Sequence, residues 1–393
     1  MPDPPLAYRP LAYRPFGRQS WRDPWPLYRR LRDEDPLHRS PDGFFVLSRF
    51  ADVLDASLDP ATFSSAQGLT FTNEKELLEL APTVVMMDPP DHTRYRRLVN
   101  RLFSPRRVAD LEPALRHYVR TLVAELAAAG SADFAAGIAR EVPAWLVATY
   151  LGVPPEDRRR FEGWTEALVQ ANVSAAPAAG LADLYAYFAD LVARRRAEPG
   201  TDVISELLSA EAAGEGIGLG GVLGYAFVLI AGGNDTTTGL LAGAAELLTA
   251  RPDQRQRLLD DRRLLPLAVE ELLRLVSPVQ GLCRVVTRPV ERHGRRLARG
   301  DRVLLCYGSA NRDRREFGGD AEELDVGRRV RRQLAFSSGP HFCLGAAAAR
   351  LTATVVLDEL LTACPGFWVE ADRGTFADGP FTRRYDHLPI HAG

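Results

Sequence analysis

Lysine is nearly missing from this 393-residue chain: Lys75 is the only one among 49 basic side chains, and all the others are arginine. A GC-rich coding bias accounts for that without assigning any chemistry. Charge of one sign is missing too. The 49 basic side chains face 51 acidic ones, leaving a formal charge of −2, so a dedicated nucleic-acid binder is not indicated. Cysteine is scarce: Cys283, Cys306, Cys343 and Cys364 are widely spaced, with no CxxC pair. This excludes a disulfide framework and a zinc knuckle, and points to a reducing, cytoplasmic setting. No apolar run reaches the length of a membrane span; the most apolar, Leu219 to Gly233, stops at Asn234-Asp235. The opening Met1-Pro-Asp-Pro-Pro has no basic-then-apolar signal-peptide pattern, so a soluble protein off the membrane is expected.

What remains is ordinary globular composition, with 46% apolar and 25% charged residues. Apolar positions recur at three- and four-residue spacing over 115–129, 140–151, 178–197, 202–213, 222–250, 266–276 and 346–363, which predicts helices. Breakers separate them, among them Gly130, Pro252, Pro278 and Pro365-Gly366. Strand-like alternation is confined to Gly43–Ser48, Arg284–Leu305 and the last thirty residues, which predicts one small sheet assembled from both ends of the chain. The fold class is mainly α with a small β region and a long central helix. Residues 1–20, with LAYRP twice in succession, read as an irregular arm, and 21–393 as a single domain. Gly216-Ile-Gly218-Leu-Gly-Gly221 satisfies GxGxxG, but a helical stretch precedes it where a dinucleotide site needs a strand.

Chemistry concentrates in Phe336-Ser-Ser-Gly339-Pro-His341-Phe-Cys343-Leu-Gly345, which runs into the helix AAAARL. A cysteine at a helix N-terminus meets free N–H groups that favour thiolate over thiol. Flanking glycines let backbone approach a flat cofactor. A thiolate so held can be an axial ligand to haem iron. From this composition the F, G, C, G pattern arises by chance about once in a thousand such chains, so it is specific. Within the long central helix, Gly232-Gly-Asn-Asp235-Thr236-Thr-Thr is poor helix interior, with side chains that compete for backbone partners. That run suits an oxygen pocket beside an acid–alcohol pair.

The cysteine loop resembles the haem-binding signature of the cytochrome P450 family, FxxGxxxCxG, and the likeness extends over essentially the whole chain. It departs at Ser337, where glycine is usual, so an altered turn is expected there. Gly232 to Thr236 is similar to the family's (A/G)GxD/ET motif. The resemblance implies a triangular single domain, haem b as cofactor and Cys343 as axial iron ligand. Asp235 would relay protons, and Thr236 would hydrogen-bond the bound oxygen. Glu271-Leu-Leu-Arg274 matches the family's ExxR pair, a structural element beneath the haem, with Arg328 the candidate third member from the later meander. His92, Arg96, Arg284 and His341 match positions that bind the haem propionates, which require cationic or donor groups.

A member of the soluble actinobacterial type would take electrons from a ferredoxin and its reductase. Arg328, Arg329, Arg331 and Arg332, with Arg106 and Arg107, form the basic surface an acidic ferredoxin would meet. The implied activity is a haem-thiolate monooxygenase acting on an apolar small molecule, as a monomer and without nucleic acid. Phenol coupling or dehydrogenation on the same fold, or haem binding without catalysis, are the alternatives; retention of Asp235 and Thr236 speaks against a dedicated peroxide user. Phe71, Met86, Met87 and Val279 suggest an apolar chamber, with Leu282 and Phe381 beside them. Gly232 and Gly233 are expected to leave room above the iron.

Overall fold

The computed structural model describes residues 18–71, 83–158, 181–379 and 381–393, together with Tyr13, Arg160 and Gly163. Most of the arm expected over 1–20 lies outside the described residues. The predicted helices form. They occupy Glu112–Ala129, Glu141–Tyr150, Leu181–Ala197, Val203–Ala210, Gly218–Ala250, Leu265–Val276 and Ala346–Ala363. Gly130 ends the first of these in a left-handed conformation, and Pro278 follows the sixth after a left-handed Ser277.

The central helix starts at Gly218, earlier than the periodicity indicates, and absorbs the second half of the GxGxxG match. The helix Val203–Ala210 and a π turn at Glu211–Glu215 precede it, and no strand does. Its second half is buried on all sides, with Leu240, Leu241, Ala242, Ala244, Ala245 and Leu248 in the core. That all-round apolar character suits a helix threaded through the middle of the molecule. Against it pack the helices Glu141–Tyr150, Leu265–Val276 and Ala346–Ala363. Arg116 and Arg120 clamp Glu359 at 2.9 Å each, fastening Glu112–Ala129 to the helix that follows the cysteine loop.

Strands are short. They are β1 (Leu37–Arg39), β2 (Phe45–Leu47), β3 (Phe63–Ser64), β4 (Ser131–Asp133), β5 (Leu282–Val286) and β6 (Val290–Arg292). Then come β7 (Arg295–Leu297), β8 (Arg302–Leu305), β9 (Trp368–Val369), β10 (Thr375–Phe376), β11 (Tyr385–His387) and β12 (Pro389–His391). The main sheet runs β1-β2-β8-β5-β3, parallel between β2 and β8 and antiparallel elsewhere. This corrects the expectation of one sheet closed by both ends of the chain. The last thirty residues form separate small sheets, β10-β11 and β4-β12-β9. Their strands are two or three residues long and pair wherever the helices bring a partner, which leaves no alternation to read. No helix among the described residues is long and apolar enough to cross a membrane.

Candidate haem site

The cysteine loop is folded by its own backbone before any cofactor is considered. The Cys343 N–H donates to Phe336 O at 2.9 Å, and the Phe342 N–H to Gly339 O at 3.0 Å. Gly339 has φ +67°, and a Cβ there would stand 2.7 Å from Ser57 O, so this glycine is required twice over. Ser337 also takes a left-handed φ of +58°. The turn therefore keeps the conformation natural to glycine rather than altering. Left-handed backbone costs a side-chain-bearing residue about 1–2 kcal/mol. In partial compensation the Tyr307 hydroxyl donates to Ser337 Oγ at 3.2 Å.

Cys343 faces a cavity of about 290 Å³ beneath the central helix. Burial pushes its thiol up, while the Gly345 N–H, Arg96 and Arg350 favour the anion without overcoming that cost. The helix terminus alone does not deliver the thiolate; a bound metal cation would.

His92, Arg96 and His341 line the same cavity, and the two imidazoles lie 4.4 Å apart. His92 Nδ1 and His341 Nε2 are buried with no hydrogen-bond partner. Burial and the nearby arginines hold both rings below the usual histidine range, His341 down to about 3. Arg96 donates only to Pro340 O, at 3.0 Å. Arg284 is buried behind His341, donating to Cys283 O at 2.7 Å, and is not on the cavity wall. Two orphaned imidazole nitrogens and two guanidiniums with spare donors are a set that lacks an anion. A cofactor carrying two carboxylates next to a metal bound by Cys343 fits them.

Beneath the loop the ExxR pair is fully buried. Arg274 Nε and Nη2 each donate to Glu271 at 2.8 Å. Its Nη1 donates to Asn311 O and Ala321 O at 2.7 and 2.6 Å. Arg328 joins from the meander, its Nε donating to Glu271 at 3.0 Å. Asn311 ties this network to the cysteine loop, since its Oδ1 accepts from the Leu334 N–H at 2.7 Å. Arg328 is taken by Glu271 and Asp320, while Arg106, Arg107, Arg329, Arg331 and Arg332 are exposed, Arg107 beside Asp110 and Arg332 paired with Glu316.

The polar run does not break the central helix. Thr236 Oγ1 donates to Gly232 O at 2.8 Å, Asn234 Nδ2 to Ile230 O at 3.1 Å and Thr238 Oγ1 to Asn234 O at 2.9 Å. These side chains add bonds to carbonyls one turn back. Thr236 is on the cavity wall, but Asp235 is not: its Oδ1 lies 3.0 Å from Arg384 Nε. Nothing in the sequence signalled Arg384, which comes from the residue just before β11, far along the chain.

Gly232, Gly233, Val279 and Leu282 line the cavity as expected. Phe71, Phe381, Met86 and Met87 do not. Phe71 stacks on Phe381 at 5.0 Å and meets Phe44 tilted, with ring centroids 4.3 Å apart, a cluster beside the main sheet, and Val84 and Val85 take the wall position expected of the methionines. Tyr150, Phe103 and Leu146 are wall residues that periodicity could not distinguish from core.

The two adjacent glycines also differ. A Cβ on Gly232 meets nothing within 4 Å, whereas one on Gly233 would stand 2.7 Å from Val147 Cγ2. Gly233 lets two helices approach; only Gly232 opens space. Gly233→Ala is expected to lower stability by about 1–3 kcal/mol through overpacking. Gly232→Ala should be neutral or raise stability by up to about 1 kcal/mol, as alanine suits helix. Urea melts of both variants check this; equal effects would contradict it.

A half-buried cysteine on a glycine-flanked loop, anion-seeking groups opposite and a threonine on the helix above define a haem-thiolate site. Comparison with known proteins agrees. The Cytochrome P450 family profile matches residues 201–366. Cytochrome P450 130 of Mycobacterium tuberculosis is 48% identical over 387 residues, covering 95% of this chain and 96% of that protein. The vitamin D(3) 25-hydroxylase of Pseudonocardia autotrophica is 33% identical, covering 96% of each. Among solved structures, cytochrome P450 CYP109Q5 from Chondromyces apiculatus superposes with a TM-score of 0.85 at 34% identity, covering 95% of this chain and 96% of that one. The chain belongs to the cytochrome P450 family, whose activity is monooxygenation and whose cofactor is haem b.

Proposed function

We propose that this enzyme takes two electrons from a ferredoxin, reduced by its own reductase, and inserts one atom of dioxygen into an apolar small molecule. The observation that carries the reading is the placement of Thr236 and Cys343 on one cavity whose remaining walls are largely aliphatic. Relatives named for vitamin D(3) 25-hydroxylation and steroid C26 monooxygenation support an apolar substrate. An apolar cavity gains affinity mainly by burying such a molecule.

Haem, when bound, supplies activation of dioxygen and its transfer. The chain supplies the rest. Cys343 would hold the haem iron through its sulfur. His92, Arg96 and His341, with Arg284 near them, would receive the propionates and fix the ring in the cavity. Thr236 presents a hydroxyl that already donates to Gly232 O and can turn to a ligand in the cavity. Asp235 is the acid that replenishes its proton. Arg106, Arg107, Arg329 and Arg331 give the ferredoxin its docking charge.

Thr236→Ala tests the reading. With a ferredoxin, its reductase and a turned-over substrate, product formation should fall by about a hundredfold, with hydrogen peroxide released in its place. Unchanged product per reductant would count against it.

A further inference from the structure

The helix Leu265–Val276 carries two adjacent carboxylates that face different partners. Glu271 turns to Arg274 and Arg328. Glu270 turns to the helix Ala346–Ala363 and holds Arg350 with both oxygens, Oε2 accepting from Nη2 at 3.1 Å and Oε1 from Nε. The same guanidinium lies over the Phe336 ring, 4.7 Å from its centroid. Phe336 opens the cysteine loop, stands on the cavity wall and accepts the Cys343 N–H through its carbonyl. One cation is thus held to a core helix by an ion pair and to the cysteine loop by an aromatic face.

Stability is a poor account of this arrangement. The Glu271 network already fastens that helix to the meander and, through Asn311, to the loop. An ion pair whose side chains are 36% and 25% exposed adds little to it. What the pair does deliver is a fixed charge beside the loop. Desolvation raises the Cys343 thiol, and the Gly345 N–H, Arg96 and Arg350 favour the anion.

We propose that Arg350 is a positioning residue for electron uptake: held over Phe336 by Glu270, its guanidinium makes the thiolate-bound haem easier to reduce, and the Glu270 carboxylate limits that effect. This rests on Cys343 holding the haem iron, as read above. Uptake of one electron adds one negative charge to the haem and its sulfur. A nearby cation stabilises the reduced form more than the oxidised one, and a nearby anion does the opposite. The Phe336 ring under the guanidinium is buried, so on that side protein rather than water separates the charge from the loop. Charge and dielectric around an axial ligand are among the levers by which a protein sets a haem potential. The effect falls on the acceptor of the electron, whichever donor delivers it.

The experiment is a spectroscopic titration of the substrate-free haem protein with dithionite and redox mediators, at fixed salt and without ferredoxin. Arg350→Met leaves Glu270 as an unopposed anion. It should shift the one-electron equilibrium toward the ferric form by roughly three- to tenfold, about 59 mV at the upper end. Glu270→Gln leaves the cation unopposed and should shift the equilibrium toward the ferrous form. The double variant should fall between the two, and Arg350→Lys should recover at least half of the Arg350→Met shift. Both single changes are at partly exposed side chains and spare the Glu271 network, so the proteins should fold. Shifts smaller than about twofold in both single variants overturn the inference. Shifts of the same sign in both also overturn it, since loosened packing around the loop would produce them. The carbon-monoxide spectrum separates the two readings. A wild type without the thiolate band sinks the reading of Cys343. A thiolate band in wild type and variants alike, with coincident potentials, sinks the role of Arg350 alone.

Discussion

Cys343→Ala is expected to remove every sign of a thiolate-bound haem. The dithionite-reduced, carbon-monoxide-bound wild type should show the long-wavelength Soret band of thiolate ligation, and the variant should lack it. Turnover should vanish with it. Cys343 is half-buried, and in the protein alone desolvation favours the neutral thiol. The surroundings are nevertheless arranged for an anion: the Gly345 N–H, Arg96 and Arg350 all favour thiolate. A coordinated metal ion completes that arrangement, since a ligating thiol is deprotonated outright. Alanine keeps the loop's backbone bonds, because the Cys343 contact to Phe336 O is made by the main-chain N–H. The variant should therefore fold, and the spectrum should report on the ligand and not on collapse of the loop. A thiolate band that survives in Cys343→Ala would refute the assignment. Absence of haem from wild type grown with haem precursor would refute the whole reading of the site.

Arg274→Ala should be the most destabilising single substitution considered, at about 3–5 kcal/mol. Both Arg274 and Glu271 are 0% exposed, and Arg274 fills four hydrogen bonds while its guanidinium lies 4.7 Å from the Phe317 ring centroid. Removal leaves Glu271 with Arg328 as its remaining ion-pair partner and strips two buried carbonyls of their donor. Domains of ordinary stability hold about 5–15 kcal/mol in total. The expected result is thus a protein recovered in low yield or without bound haem, since Asn311 links this network to the loop carrying Cys343. Arg274→Lys keeps the charge but not the two-pronged geometry, and should fall between. Arg328→Ala should cost less, because the Glu271–Arg274 pair survives it. Denaturant midpoints and haem absorbance per protein measure all three. A loss below about 1 kcal/mol in Arg274→Ala would show that the network does not hold the fold.

The sequence exposes chemistry that is local and hides chemistry that is not. The cysteine loop was readable because its glycines, histidine and cysteine are contiguous and each is needed for a nearby backbone or side-chain reason. The ExxR helix and its Arg328 partner were readable through the family likeness, since any i,i+3 pair looks alike in isolation. Arg384 was invisible because its partner lies in a helix far upstream, and a TRRYD stretch carries no mark of what it faces. The aromatic pocket expectation failed at Phe71 and Phe381 because apolar composition cannot separate a cavity wall from a stacked cluster behind the sheet. Gly232 and Gly233, adjacent and chemically identical, turned out to do different jobs, which only the position of Val147 reveals. Fold class followed from helical periodicity, which is long-ranged and redundant. The strand segments were legible too, but the separation of the C-terminal strands into sheets of their own was not, because two- and three-residue strands carry no period that says which partner they meet.

The three-stranded sheet β4-β12-β9 bears on how the molecule comes to be made. The Leu388 N–H donates to Asp133 Oδ1 across 255 residues of sequence, and β12 aligns beside β4 immediately after it. Closing so long a loop carries an entropic cost that grows with its length and is recovered only once the strands have met. The Glu112–Ala129 helix and the turn leading to Glu141 therefore reach their final setting late, after the haem-site segments have already been synthesised. During translation the Asp235-bearing helix emerges well before Arg384 does, so the Asp235–Arg384 ion pair can close only once the C-terminal segment has been made. Substitutions at the β4–β12 junction should accordingly speed unfolding more than they slow folding, which stopped-flow folding and unfolding rates would check.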